Sequence, residues 1–247
     1  MSRARRRDAP LLQRGTRDHY DDPVLYDHEY RRRRDDVAHY RRLADEVGGP
    51  VLELGCGSGR IAAPLARDGH RVVGLDSHLG MLQRARERRE KLPKSARGRL
   101  SLFQADLRSF ALGRRFPLVI CAFNTMQHLY TLEALREALA NAARHVAPGG
   151  LFAFDVLMPD LDWLTRDPER RWSRRRFRHP ESRQWLVYST NHDYDPVGQL
   201  AYVRIYYEPL PGEPGLGRVV HLAHRQLFPQ ELTLLLEGAG FAIVRRE

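Results

Sequence analysis

Val51-Leu-Glu-Leu-Gly-Cys-Gly-Ser-Gly-Arg60 is the segment of this 247-residue chain that indicates its fold most clearly. Its short apolar run leads into glycines at positions 55, 57 and 59, and a second apolar run, Val72–Leu75, ends in Asp76. Glycine lets the backbone approach a ligand closely because it carries no Cβ atom. An acid about 20 residues further on is suited to accept hydrogen bonds from ribose hydroxyls. The pattern therefore predicts a nucleoside site at the carboxyl ends of parallel strands.

The spacing of the glycines distinguishes between classes of nucleotide loop. A dinucleotide fingerprint, G-x-G-x-x-G, would require glycine at position 60, where the chain has Arg60. The observed G-x-G-x-G, with Glu53 in the strand before it, resembles the loop of class I S-adenosylmethionine (SAM)-dependent methyltransferases of the small-molecule type. The resemblance extends from about Tyr20 to Arg246 and implies SAM as the cofactor.

Strand and helix patterns alternate on both sides of this motif, which predicts an α/β fold with a doubly wound, mostly parallel Rossmann-like sheet. The family sheet has seven strands, the last of them antiparallel, but the chain reaches residue 247 soon after a final strand predicted from Phe241. The remaining predicted strands are Val51–Leu54, Arg71–Leu75, Leu100–Gln104, Pro117–Phe123 and Leu151–Val156, and the predicted helices are Tyr26–Val47, Ile61–Asp68, Leu79–Lys91 and Leu132–Val146.

After the fifth strand the pattern changes to an antiparallel β insertion. Arg166–Pro180 is predicted as a charged loop, and three alternating segments, Trp185–Tyr194, Gln199–Glu208 and Arg218–Leu227, as a meander. The expected organisation is a flexible basic tail over 1–18, a core with an N-terminal helix over 19–157, an antiparallel lid or substrate insertion over 158–227, and the return helix and final strand of the core over 228–247.

The resemblance implies roles for acids at the strand ends. In the family, the residue matching Glu53 helps to bind the methionine part of SAM, the one matching Asp76 binds ribose, and the one matching Asp106 accepts from the adenine amino group. A helix N-cap for Asp76 and a turn residue for Asp106 are the alternatives. Ser77 is a further candidate for a helix cap, and Met81 for packing on adenine. The expected cofactor-binding residues are Tyr26, Glu53, Gly55, Cys56, Gly57, Gly59, Asp76, Ser77, Met81, Ala105, Asp106, Leu107 and Phe123.

The segment Cys121–Leu129 leaves the fourth strand, at the point where strand order reverses and ligands bind in open α/β sheets. Asn124 and His128 in it are the candidate catalytic residues. A neutral His128 could accept a proton from an amine or hydroxyl nucleophile, although many family members use no base. The chemistry that the resemblance implies is in-line displacement at the sulfonium methyl, which moves it to nitrogen or oxygen of a small metabolite.

The formal net charge of +10 raises the question of a nucleic-acid partner. The excess is almost all arginine, spread over predicted helix faces, so the charge by itself does not indicate nucleic acid. We expect no nucleic-acid partner, and the resemblance implies a small-molecule acceptor. An RNA-directed methyltransferase that uses the arginine–aromatic cluster Arg170–Arg178 stays open as an alternative, as does a non-catalytic SAM-binding subunit. The same cluster could also be only a solvated loop.

Other features concern location and assembly. Cys56 and Cys121 lie in apolar surroundings without a paired framework, so we expect no disulfide and a cytoplasmic protein. The basic N-terminus leads into no apolar segment, and no stretch has the roughly 20 apolar residues of a membrane span. His221 and His224 lack a metal-ligand spacing, so no metal is expected. A homodimer through the insertion is left open, and Tyr20, Tyr26 and Tyr30 either close over SAM or simply pack.

Overall fold

The computed structural model describes the backbone of residues 3–246 and the side chains of residues 10–246. The helices are α1 (Arg3–Arg17), α2 (Pro23–Tyr30), α3 (Asp35–Val47), α4 (Ala62–Arg67), α5 (Leu79–Glu90), α6 (Lys94–Arg97), α7 (Leu132–His145), α8 (Leu161–Leu164) and α9 (Pro229–Gly238). The strands are β1 (Val51–Leu54), β2 (Val72–Asp76), β3 (Leu100–Gln104), β4 (Phe116–Cys121), β5 (Val146–Phe154), β6 (Trp172–Arg178), β7 (Trp185–Asp195), β8 (Leu200–Pro209) and β9 (Arg218–Arg225).

These elements form two compact units. The core unit comprises Arg31–Leu157 and Leu227–Glu247, and the antiparallel unit comprises Met1–Tyr30 and Met158–Gln226. The segment from residue 19 to residue 30, which the sequence analysis assigned to the core, therefore groups with the antiparallel strands.

The core unit is built on a parallel sheet in the order β3-β2-β1-β4-β5. Strand β1 pairs with β2 on one side and β4 on the other, so the strand order reverses between β1 and β4. Successive residues of β1 face opposite sides: Val51 packs with apolar residues of α3, α4 and α5, and Leu52 with those of α7 and α9. Helices thus cover both faces, and the predicted doubly wound, mostly parallel fold is confirmed.

The antiparallel unit contains the sheet β6-β7-β8-β9. One face of this sheet packs against α2 through a cluster that includes Leu25, Leu186, Ile205 and Val220. The predicted antiparallel insertion after the fifth strand is therefore confirmed. It has a strand more than expected, because Trp172–Arg178 pairs with β7 within the segment predicted as a charged loop. Its strand propensity was hidden because four of its seven residues are arginines and most of its side chains are exposed.

The basic tail predicted over residues 1–18 is wrong for the part that the structure describes, since Arg3–Arg17 is helix α1. This helix lies against β9, and a Cβ atom added to Gly15 would come within 2.8 Å of the backbone nitrogen of Ala223. Glycine permits that close approach. The carboxylate of Asp18, just after the helix, accepts a 2.9 Å hydrogen bond from the His221 ring.

Two further predictions of local structure are wrong. The single helix expected over Tyr26–Val47 is divided into α2 and α3 by residues 31–34. The final strand expected from Phe241 to Val244 is absent from the described residues, although the Phe241 ring stacks on Phe152 with centroids 5.3 Å apart. The Phe241 amide instead donates to the carbonyl of Leu236 and so closes the end of α9.

Candidate active site

The glycine loop follows β1 and leads into α4. Gly55, Gly57 and Gly59 all have positive φ angles, of 69°, 53° and 76°. A Cβ atom at Gly55 would lie 2.7 Å from Oγ1 of Thr125, which belongs to the segment after β4. The loop after β1 and the segment after β4 are therefore in direct contact at the point where the strand order reverses.

Asp76 is the last residue of β2, and its side chain links the glycine loop to that strand. Its Oδ2 accepts a 2.7 Å hydrogen bond from the Gly57 amide, and its Oδ1 accepts one of 2.7 Å from the His78 amide. Burial raises the pKa of this carboxyl above its ordinary value. Each carboxylate oxygen has two lone pairs, so both can accept a further hydrogen bond from a ligand.

Met81 and Ser77 were both expected near this loop. Met81 is buried, and a Cβ atom at Gly57 would lie 3.3 Å from its Cε. The expected helix cap at Ser77 is wrong: the ring of His78 accepts from the Met81 amide and caps α5, while Ser77 is exposed. Cys56 is buried, and its amide donates to the Leu75 carbonyl, which joins the loop to β2.

Glu53 is the charged residue of the central strand and is 2% exposed. Burial raises the pKa of its carboxyl from 4.5 to about 8, although nearby Arg60 opposes the change. Among the described residues, its Oε2 has no hydrogen-bond partner. A buried polar atom without a partner is costly, so Oε2 is suited to contact a donor supplied by water or by a ligand.

Arg60 occupies the position that excludes a dinucleotide fingerprint, and sequence reasoning gave it no other role. Its guanidinium donates to both carboxylate oxygens of Asp36, at 2.9 and 2.5 Å. Burial would raise the pKa of Asp36, but these hydrogen bonds lower it overall. The guanidiniums of Arg60 and Arg33 lie 4.6 and 4.9 Å from the centroid of the Phe123 ring, so α3, the glycine loop and the segment after β4 meet there.

Phe123 and Asn124 share an unusual backbone conformation, with φ angles of 56° and 63°. Asp155, just after β5, holds them: its Oδ1 accepts from the Phe123 amide at 2.8 Å and from the Tyr40 hydroxyl at 2.7 Å. Left-handed backbone in residues other than glycine is often found at functional sites. Asp155 and Tyr40 were missed because nothing in the local sequence links residues 115 positions apart.

His128 ends the 3₁₀ turn Thr125–His128, which follows Asn124. The alternative interpretation placed it at the start of a short helix, whereas it lies at the end of this turn. Its Nδ1 is 3.4 Å from the Tyr130 hydroxyl, and the side chain is half-buried. The turn places Asn124 and His128 on one segment that leaves the central strands, as expected.

Asp106 follows β3 and is engaged by an arginine that sequence reasoning did not consider. Arg108 donates to it through Nε at 3.0 Å and Nη2 at 2.5 Å, and these bonds lower the pKa of the Asp106 carboxyl. On either side, the Ala105 amide donates to the Asp76 carbonyl, and the Leu107 carbonyl accepts from Asn141.

Tyr26 is the expected cofactor-binding residue that lies in the antiparallel unit. Its ring packs at 5.5 Å from that of His19 and 4.8 Å from that of Tyr30. These contacts are those of ordinary aromatic packing, the alternative considered for this residue.

Two features are absent from the described residues. Within residues 10–246, no group of three or more His, Cys, Asp or Glu side chains could hold a metal ion. Of the helices that the structure describes, none has both the length and the apolar character that a membrane crossing needs.

Comparison with known proteins supports the interpretation of this site. Residues 51–150 match the family model described as a methyltransferase domain. A curated relative, the dTDP-3-amino-3,4,6-trideoxy-alpha-D-glucopyranose N,N-dimethyltransferase of Streptomyces venezuelae, is 30% identical over 147 residues, which are 58% of this chain and 59% of that one. The chain spans about half the length of the curated relatives it matches.

Solved structures show the same fold. The CcbJ methyltransferase from Streptomyces caelestis aligns with a TM-score of 0.68 and 25% identity, over 83% of this chain and 78% of that chain. The glycopeptide N-methyltransferase MtfA complexed with SAM aligns with a TM-score of 0.57 and 25% identity, over 85% of each chain.

Proposed function

We propose that this chain, which belongs to the class I SAM-dependent methyltransferases, moves a methyl group from SAM to nitrogen or oxygen of a small metabolite. The methyl group of SAM is bonded to a positively charged sulfur, so the cofactor supplies its own activation. The work left to the protein is to hold the cofactor, align the acceptor and exclude water.

The observation that carries this proposal is Oε2 of buried Glu53, for which the described part of the chain offers no hydrogen-bond partner. A carboxylate there is suited to the cationic methionine part of SAM, directly or through water. Asp76, with a lone pair remaining on each oxygen, is suited to the two ribose hydroxyls. We assign Asp106 to the adenine amino group. Its carboxylate would accept that hydrogen bond in addition to those from Arg108. Of the remaining expected residues, the backbone of the glycine loop and Met81 are assigned to the cofactor.

The acceptor atom that we favour is an amine nitrogen. The curated relative named above is an N,N-dimethyltransferase whose named substrate is an amino sugar. An amine that is protonated in water must lose a proton before its lone pair can attack the methyl group. We assign that proton to the ring of His128, with Asn124 as a polar contact for the acceptor. Replacing His128 with Gln should then lower kcat and remove the low-pH inflection from the plot of kcat against pH. The affinity for SAM should stay unchanged.

The first experiment is calorimetric titration of the full chain with SAM and with its demethylated product, S-adenosylhomocysteine. We expect micromolar binding that weakens at least tenfold in Asp76→Ala. Asp45→Ala is the matched control, because Asp45 carries the same charge on α3 with a side chain that is 71% exposed. Unchanged SAM affinity in Asp76→Ala, or no binding of either compound by folded protein, would contradict the proposal.

Methyl-transfer assays of the SAM-binding protein with panels of acceptors then distinguish a small-molecule enzyme from an RNA-directed enzyme and from a non-catalytic subunit. Product formation with small amines or alcohols supports the proposal, and activity confined to RNA supports the RNA-directed alternative. SAM binding without turnover on any panel supports a non-catalytic subunit. We also propose a cytoplasmic location, since both cysteines are buried free thiols, and self-association as a homodimer, which analytical ultracentrifugation would test.

A further inference from the structure

A cavity of about 660 Å³ lies in the antiparallel unit, at the end of β8 and against β6. Small-molecule sites have volumes of roughly 300–1,000 Å³, so the cavity is large enough for a nucleotide-sized ligand. Its lining divides into a cationic part and an apolar part with one acid. The lining residues are Arg174, Arg175, Arg176, Val187, Glu208, Pro209, Leu210 and Pro211.

Pairing between adjacent strands places part of the cavity lining side by side. Arg176 pairs with Val187, and Val187 pairs with Glu208, so these three side chains share one face of the sheet. The register between β6 and β7 shifts between Trp172 and Arg175, and Ser173 in that interval has a φ of 57°. Arg174 therefore lies next to a bulge, and bulges are common beside functional sites.

The side chains that line the cavity carry a net positive charge. Among the side chains that the structure describes, neither Arg174 nor Arg176 has a hydrogen bond or an ion pair. Arg175 lies over the Tyr188 ring at 4.6 Å. The acid in the lining, Glu208, forms a 2.7 Å ion pair with Arg171, outside the lining, and so does not neutralise these arginines.

We propose that this cavity binds the diphosphate group of a small nucleotide-type ligand. Guanidinium groups match phosphate oxygens in pairs, which makes Arg174 and Arg176 suitable donors. The wall formed by Val187, Leu210 and Pro211 is suited to the uncharged part of such a ligand. This inference goes beyond methyl transfer, because it requires neither SAM nor turnover.

The test is calorimetric titration of the full chain with thymidine diphosphate and, separately, with inorganic pyrophosphate, at constant ionic strength. Arg174→Gln and Arg176→Gln should each weaken diphosphate binding at least tenfold. Arg178→Gln is the matched control: it removes the same charge from the same strand, but the guanidinium of Arg178 donates to the Arg183 carbonyl and does not line the cavity. It should weaken binding less than twofold. Affinity for S-adenosylhomocysteine should stay unchanged in all three variants, which shows that they are folded.

The two probes identify what is recognised. Equal affinity for both means that the phosphates alone are bound, and tighter binding of thymidine diphosphate means that the nucleoside also contacts the cavity; either result supports the proposal. It is overturned if protein that binds S-adenosylhomocysteine shows no saturable diphosphate binding, or if all three variants weaken it equally. It is also overturned if single-stranded RNA binds with steep salt dependence and displaces the diphosphate equally in the control and cavity variants.

Discussion

The hydroxyl of Tyr40 donates a 2.7 Å hydrogen bond to Oδ1 of Asp155, which also accepts from the Phe123 amide. A residue of α3 thereby fixes the carboxylate that holds the left-handed backbone after β4. The α3 helix is thus connected to the segment that carries both candidate catalytic residues.

Tyr40→Phe should therefore destabilise the chain. Tyr40 is buried, and removing its hydroxyl takes a donor from a carboxylate, a loss of about 1–2 kcal/mol in the free energy of unfolding. Urea denaturation followed by circular dichroism would measure it. Tyr194→Phe is the control, since its hydroxyl makes no hydrogen bond among the described residues, and it should cost less than about 0.5 kcal/mol. Equal losses in the two variants would contradict the role given to this bond.

Arg60 and Asp36 should be energetically coupled. Their side chains are 13% and 10% exposed and form two hydrogen bonds, so losing either partner leaves a poorly solvated charge. We expect Arg60→Gln and Asp36→Asn each to lower the free energy of unfolding by about 2 kcal/mol. The double variant should lose clearly less than the sum of the two. Simple additivity in this double-mutant cycle would mean that the pair is not coupled.

Glu53 should make the ligand-free protein less stable as the pH rises from about 4.5 to 8. Its pKa is raised from 4.5 to about 8 by burial, so in this range the unfolded chain has released the proton and the folded chain still holds it. The folded state binds more protons there, and its stability therefore falls with increasing pH. Glu53→Gln should remove this slope, as measured by denaturation at several pH values. If Glu53→Gln kept the full dependence of the free energy of unfolding on pH, that dependence would not come from the Glu53 carboxyl.

Two buried histidines of the antiparallel unit should give the opposite slope. Burial lowers the pKa of His19 and of His224 from 6.5 to about 4. The folded state keeps them neutral while the unfolded chain takes up protons, so stability is complete above pH 6.5 and falls as the pH drops towards 4. The slope of the free energy of unfolding against pH is proportional to the number of protons taken up on unfolding. His19→Gln and His224→Gln should each reduce that number by about one. His39→Gln, which removes a histidine from a half-buried position of α3, serves as the control.

The parallel sheet was predictable because its signals are local. An uninterrupted apolar run marks a buried parallel strand, and the predicted strand Pro117–Phe123 overlaps β4. The bounds of Val51–Leu54 and of Leu100–Gln104 were predicted to the residue. The reversal of strand order then located the segment of Asn124 and His128 from topology alone. Strand β6 was not predictable in this way, because its exposed arginines carry no apolar alternation and only its pairing with β7 makes it a strand.

The partners of the site residues were beyond the reach of sequence reasoning for a related reason. The glycines and Asp76 form a motif with fixed spacing, and they do meet through the Gly57 amide. The ion pair of Arg60 with Asp36 joins residues 24 positions apart, and both residue types are abundant in a chain of 41 Lys and Arg. Nothing in the local pattern singles out that pair from the many others.

The contact between Gly55 and Thr125 allows the steric and conformational costs of a glycine to be separated. In Gly55→Ala the new Cβ would lie 2.7 Å from the Thr125 Oγ1, and the backbone would have to keep a φ of 69°. The left-handed conformation alone costs about 1–2 kcal/mol, and the overlap adds to it. Thr125→Ala removes the overlapping Oγ1 and Cγ2 atoms, at the cost of a hydrogen bond to Ala122. We therefore expect the penalty of Gly55→Ala, measured by urea denaturation, to be smaller in the Thr125→Ala background but not to vanish. An unchanged penalty in the two backgrounds would mean that backbone conformation, and not the contact between the two loops, requires glycine at this position.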